Sequence, residues 1–366
     1  MRGWAAAIAL TGAVLWACSA SAAHSPPQQA PAQHRLLVGG VENDGMFGAT
    51  SAYMSMAKMA NFQLIVLSSV WRHGRTTPDS QELGRLVSSA RAARNAGIVP
   101  VIAVYSFAHD TPTTPGQRGD FVQYAATIEE AIPNLRYMSI GNEPNSTLFW
   151  RGGTRTAANA YYLLLAQAYD VLKVNNPRIT VIGGSLASRH NAVNFIRDLG
   201  AAYRTSRRGR PFMDVFSLHP YPPNSGVPPT VGYGDYSTSI GIADYPRLVQ
   251  LLASALGTVP PIAYGEYGIE TRVPRGALSN YNGAQPHAVD AVTEARQADD
   301  YVAAIEMAAC QPRVKMLLFF HVDDETSLRT GLQTGLFYPS GQPKQSLQPV
   351  SQAALEAENG KLKCGA

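Results

Sequence analysis

Ser139-Ile140-Gly141-Asn142-Glu143-Pro144-Asn145 turns a short apolar run, Tyr137–Ile140, into a polar loop that carries a carboxylate. Ala263-Tyr264-Gly265-Glu266-Tyr267-Gly268 repeats the device after Ile262–Tyr264. Each stretch reads as a buried strand that ends by projecting an acid. Burying a carboxylate is costly unless something uses it, so these two strand ends are the first places to look for chemistry.

Six more apolar runs accompany these two: Leu36–Val41, Leu64–Trp71, Val99–Tyr105, Ile179–Ile182, Phe212–Leu218 and Val314–Phe320. Several are rich in Val and Ile, as expected of strands covered on both faces of a parallel sheet. Stretches with apolar residues at helical spacing lie between and after them: Ser80–Ala96, Asn159–Val174, Tyr245–Leu256, Asp290–Ala309 and Val350–Glu358. Eight alternations of strand and helix predict an α/β fold, a closed (β/α)8 barrel, rather than an open doubly wound sheet. No Gly-x-Gly-x-x-Gly follows a strand, which argues against a dinucleotide site. Helix-to-strand connections are short, whereas Asp110–Gly119, Pro222–Ala243 and Arg272–Val289 are long strand-to-helix loops. Long loops gather on the C-terminal rim of such a barrel, where its sites are built.

The 366-residue length suits one barrel with loop insertions, over 35–366. Only 15% of residues are charged, and the net charge of +4 is spread along the chain. The one dense cluster, Arg204, Arg207, Arg208 and Arg210, reads as a solvated helix end rather than a nucleic-acid surface. Residues 1–22 read as a signal peptide: Arg2 is followed by the apolar stretch Trp4–Ala17 and by the small-x-small site Ala20-Ser21-Ala22. That stretch is too short for a membrane span, and no other is long enough. Leu15-Trp16-Ala17-Cys18 also loosely resembles a lipobox, so the expectation is a secreted protein with lipidation at Cys18 as the competing reading. Residues 23–34 form a Pro/Gln/Ala linker without apolar periodicity, expected to be disordered. After cleavage two cysteines remain, Cys310 and Cys364. Export permits a disulfide between them, and the barrel layout puts both on the rim opposite the long loops.

Asn-Glu-Pro at the end of the fourth strand, with Glu at the end of the seventh, resembles the clan of retaining glycosidases on (β/α)8 barrels that includes families 5 and 39. The resemblance runs from about Arg35 to Glu358 in element order. It implies Glu143 as general acid and then base, Glu266 as ionised nucleophile and Asn142 as a contact to a sugar 2-hydroxyl. Ser217-Leu218-His219-Pro220-Tyr221 is similar to the clan's His-x-Tyr, which implies that Tyr221 donates to the nucleophile and His219 lines the site. Arg72, after Val70-Trp71, resembles the arginine that keeps the nucleophile ionised. The clan often places tryptophan after strand eight; here Phe319-Phe320-His321 stands there, with His321 or a neighbouring loop in its place.

Trp71, Tyr105, Phe107, Trp150 and Tyr267 are candidate sugar-stacking rings. Glu42, Asp110, Asp323 and Asp324, with His109 and His321, raise the question of a metal, but the first strand lacks the His-x-His of metal-dependent barrels; no metal or cofactor is expected. The expected partner is an oligo- or polysaccharide, cleaved by double displacement. The alternative is a non-catalytic carbohydrate-binding or cell-wall-associated barrel whose acids only hydrogen-bond sugar.

Overall fold

The computed structural model describes residue 1 and residues 35–42, 50–284 and 290–364. The expected export segment 1–22, linker 23–34 and Cys18 lie outside the described residues. Eight strands alternate with helices: β1 (Leu37–Val41), β2 (Leu64–Val70), β3 (Val99–Tyr105), β4 (Tyr137–Ile140), β5 (Thr180–Ala187), β6 (Val215–His219), β7 (Ile262–Tyr267) and β8 (Val314–Phe320). All pair in parallel in chain order, and β8 returns to β1, so the sheet closes on itself as a (β/α)8 barrel.

The strands sort their side chains with period two. Leu64 and Val66 of β2 point inward with Val101, Ile182, Val215, Ala263, Met316 and Leu318, filling the barrel axis. Ile65 and Leu67 point outward into the larger core shared with the helices. Each such side chain contributes about 1.5–3 kcal/mol on full burial. Strands covered on both faces therefore read as unbroken apolar runs.

The helices are α1 (Thr50–Met59), α2 (Ser80–Asn95), α3 (Pro115–Ala131), α4 (Thr154–Asn175), α5 (Ala192–Thr205), α6 (Tyr245–Leu256), α7 (Glu294–Ala309) and α8 (Leu347–Glu358). Helix α3 begins inside the stretch expected to be a loop. Thr114 and Gln117 form a reciprocal capping box around Pro115, which starts the helix early. The arginine cluster lies at the end of α5, where Arg208 and Arg210 both pair with Asp170 of α4.

Opposite the long loops, Cys310 at the end of α7 is bonded to Cys364, with Cα atoms 5.3 Å apart. The described ends of the chain also meet on that rim. Leu36 N donates to Ala357 O at 3.2 Å, and Arg35 pairs with Glu358 at 2.6 Å. Among the described residues no helix is long and apolar enough to cross a membrane.

Candidate active site

The polar turn after β4 is bent sharply and held from both sides. Gly141 has φ +82°, and a Cβ there would meet the Tyr161 ring at 2.7 Å, so only glycine fits. Gly141 N donates to Val104 O on β3, and Glu143 N donates to Ser185 O on β5, both at 2.8 Å. Glu143 itself has φ +38°, an unfavourable region for a residue with a Cβ. Strain of this kind persists where the surroundings over-determine a side chain's position. Here they aim Glu143 into the barrel mouth.

Strict alternation along β7 would turn Glu266 outward, since Ala263 faces the axis. The register of β7 against β8 slips between Tyr264 and Tyr267, and the irregularity re-aims Glu266 into the mouth. Gly265 makes room: a Cβ there would lie 2.5 Å from Ser217 Oγ and 3.1 Å from the His219 ring.

His219, at the end of β6 and 2% exposed, sits between the two acids. Its Nδ1 lies 3.2 Å from Glu143 Oε1 and 3.5 Å from Glu266 Oε2. One carboxylate oxygen from each acid and the imidazole nitrogen all fall within 4.8 Å of one another. Among the described residues this is the one His/acid group close enough to share a cation. The Tyr221 hydroxyl donates to Glu266 Oε2 at 3.1 Å.

Burial raises the Glu266 carboxyl to about 7; the His219 charge opposes this, the Glu143 charge adds to it, and the Tyr221 hydrogen bond opposes it. Burial lowers the proton affinity of His219. The charge of Glu266 and the hydrogen bond and charge of Glu143 outweigh that and hold the imidazole above its usual value. Burial, then the charges of Glu266 and Glu143, push the Tyr221 phenol well above its usual range, so it remains a donor. A positive charge on His219 thus works against the cost of burying a negative charge on Glu266.

These residues floor a cavity of about 660 Å³ at the C-terminal mouth. Asn142, Glu143, His219, Tyr221, Glu266 and His321 all line it. His321 is 4% exposed, has φ +86°, and packs on Phe320 with ring centres 3.9 Å apart. Burial lowers it to about 4, so it is a neutral imidazole at ordinary pH, and among the described residues its Nδ1 has no hydrogen-bond partner.

Five expected site residues are outside the cavity lining; Phe107, one of them, stacks on Phe149. Trp71 is wholly buried, its indole donating to Arg75 O at 2.6 Å and its ring against Phe121 at 5.5 Å. Trp150 is 3% exposed and set edge-on against Tyr161. Tyr267 faces outward because of the slip that brings Glu266 in, and packs on Tyr301 and Phe319. None of these three rings can stack on a sugar. Arg72 follows the end of β2, where the chain has already left the barrel, and is exposed and outside the cavity. The group whose positive charge opposes the raised proton affinity of Glu266 is His219 instead.

The metal candidates do not assemble. Asp324 pairs with Lys344 at 2.7 Å, both side chains fully buried, and Asp110 contacts His73 and His109. Reading the sequence missed Arg189, His190, Glu270, Asp290, Glu325, Leu148 and Phe149, all of which line the cavity. Asp290 falls in a stretch expected to be helical, but that helix starts at Glu294; the others lie in loops without periodicity, and only the closed barrel brings them together.

No protein-family model matches this chain, and no curated protein sequence matches it. Solved structures do resemble its fold. A family 39 glycoside hydrolase from the gut symbiont Bacteroides cellulosilyticus WH2 is 20% identical with a TM-score of 0.66, over 89% of this chain and 64% of that one. An exo-β-1,4-mannosidase from Opitutaceae bacterium strain TAV5 is 15% identical with a TM-score of 0.61, over 90% and 61%. A broad-specificity endoglucanase of family 5 from Clostridium longisporum is 14% identical with a TM-score of 0.57, over 85% and 86%. The chain thus spans under two thirds of the length of the first two. At these identities the likeness establishes the barrel.

Proposed function

We propose that the protein is a glycoside hydrolase that cleaves β-linked glycosides with retention, using Glu143 and Glu266. The observation that carries this reading is the pair of acid oxygens within 4.8 Å across one imidazole nitrogen. Direct attack on an anomeric carbon needs carboxyl groups about 5–5.5 Å apart, whereas inversion needs about 6.5–9.5 Å to admit a water. The solved glycosidases that share the fold support it.

In the first step Glu143 gives its proton to the glycosidic oxygen while a Glu266 oxygen forms a bond to the anomeric carbon. The carbon–oxygen bond to the leaving group breaks, and the alcohol departs neutral. Forming the ester removes the charge of Glu266 and leaves Glu143 as a carboxylate able to act as base. Glu143 then takes a proton from water, the hydroxide attacks the same carbon, and Glu266 leaves as carboxylate. Tyr221 holds the reacting oxygen of Glu266, and His219 compensates whichever acid is charged. Nothing in this sequence calls on a metal, so EDTA is expected to leave turnover unchanged.

Export by the segment 1–22 belongs to the same proposal. It rests on the order of charge, apolar run and small residues there, and sequencing the N-terminus of protein recovered from the culture medium tests it.

The test of the chemistry uses 4-nitrophenyl β-glycosides of glucose, xylose and mannose. E143Q and E266Q are each expected to lower turnover by at least about a thousandfold. Proton NMR of the first-formed product should show the β anomer. A 2-fluoro glycosyl fluoride should add its sugar mass to the peptide containing Glu266. A first-formed α anomer, or wild-type turnover in both variants, overturns the proposal.

A further inference from the structure

The cavity wall is not uniform. The β7 and β8 side carries Glu270, Asp290 and Glu325, whereas the β3 and β4 side carries Tyr105, Leu148 and Phe149. Leu148 is 60% exposed, high for an apolar side chain at a cavity lip. The Phe149 ring lies parallel to Phe107, with centres 5.4 Å apart and planes 19° apart. Tyr105 meets both edge-on, at 5.8 Å and 6.0 Å.

This face is built into the turn that carries Glu143. Ser146 N donates to Glu143 O at 2.8 Å, and Phe149 N donates to Ser146 O at 3.2 Å. Ala108 N donates to Leu148 O at 3.0 Å, tying the β3 loop to the β4 loop. The rings are therefore fixed relative to the acid.

We propose that Tyr105, Leu148 and Phe149 form a leaving-group site on the Glu143 side of the cavity, which takes an aromatic aglycone. The inference rests on the hydrolase reading above. In that reading Glu143 protonates the departing oxygen, so the group beyond that oxygen lies on the side of the cavity that carries Glu143. The chemistry of the wall selects the occupant. Of the three side chains only Tyr105 carries a hydrogen-bonding group, so a sugar packed there would leave most of its hydroxyls without a protein partner. An aryl ring has none to leave, and it stacks on Phe149 in the offset geometry that aromatic pairs favour. The sugar that is cleaved off occupies the opposite, acidic side, where carboxylates accept from its hydroxyls.

The experiment compares, for whichever of glucose, xylose or mannose is turned over, the 4-nitrophenyl β-glycoside, the β-linked disaccharide and the glycosyl fluoride. F149A should lower kcat/KM for the aryl glycoside about tenfold more than for the fluoride, whose leaving atom reaches no further than Glu143. F149L, apolar but without a ring, should show most of the same selective loss. An equal fall on all three substrates marks a structural role and overturns the proposal, as does a loss on the disaccharide as large as that on the aryl glycoside. Saturation-transfer NMR with 4-nitrophenol tests the site without turnover. Transfer should be seen with the wild type and lost in F149A at an unchanged Tm; no transfer to the wild type overturns the aryl site. That readout keeps the two ideas apart, because a protein that hydrolyses nothing and is not labelled at Glu266 can still bind the phenol.

Discussion

Replacing the proposed nucleophile should make the protein more stable. Glu266 rests at about 7 in the fold against 4.5 for a free carboxyl, chiefly because burial penalises its charge. A group whose folded value is raised holds its proton more tightly in the native state than in the unfolded chain, so stability falls as pH rises between those two values and stays low above them. The gap corresponds to about 3 kcal/mol. E266Q keeps the shape and an acceptor for Tyr221 but cannot ionise, so it escapes that penalty. It should be more stable than the wild type by up to about 3 kcal/mol at pH 8, less whatever His219 loses with its partner, and no more stable at pH 4.5. An unfolding entropy of about 2.1 cal/mol/K per residue over 366 residues turns that into a rise in Tm of about 4 °C. Thermal melts of both proteins from pH 4.5 to 8.5, followed by circular dichroism, read the difference directly. A variant that melts at or below the wild type at pH 8, or whose advantage does not shrink on acidification, refutes the reasoning.

The activity should carry the same signature. kcat/KM on an aryl glycoside is expected to fall on acidification through about pH 7 as Glu266 takes its proton, and H219Q should move that limb upward, because the charge on His219 lowers Glu266; a limb that stays in place denies His219 this part. Away from the mouth, K344M should cost about 3–5 kcal/mol in urea unfolding, since it strands the fully buried Asp324, and D324N/K344M should recover part of that loss. C364S opens a loop of 54 residues, for which the chain-entropy account gives about 4 kcal/mol. Its melting point should drop while its aryl-glycoside kcat stays within about twofold, because the bridge lies on the far rim.

The barrel is legible in the sequence because its strands are buried twice over. Runs such as Val99–Tyr105 and Val314–Phe320 stand out without any partner in view. Glu143 and Glu266 are legible for a related reason: a charge that closes an apolar run is conspicuous. Which way a residue near a strand end points is harder to read. Tyr267 and Glu266 are neighbours, and only the slip between β7 and β8 decides that the acid faces the mouth and the ring the core. Trp71 and Arg72 follow β2 just before the turn at His73 and Gly74, one buried and the other exposed, and nothing in their types announces it. The compensating cation is in the sequence as His219, but its place between two acids depends on three strands meeting. Phe149 and Leu148 sit in a loop with no period to read, and only the barrel brings them to the mouth.

The closure at the bottom of the barrel has a practical consequence. Arg35 and Glu358 are in contact there, and the bonded Cys364 lies on the same rim. Whatever is fused ahead of Arg35 or behind Cys364, whether a tag, a second module or a bead, is therefore attached at one pole of the molecule. An immobilised copy held by either end would present its open mouth to the bulk liquid. A short bridge joining the two ends would let the chain be reopened at a surface loop, giving a circular permutant with the same barrel.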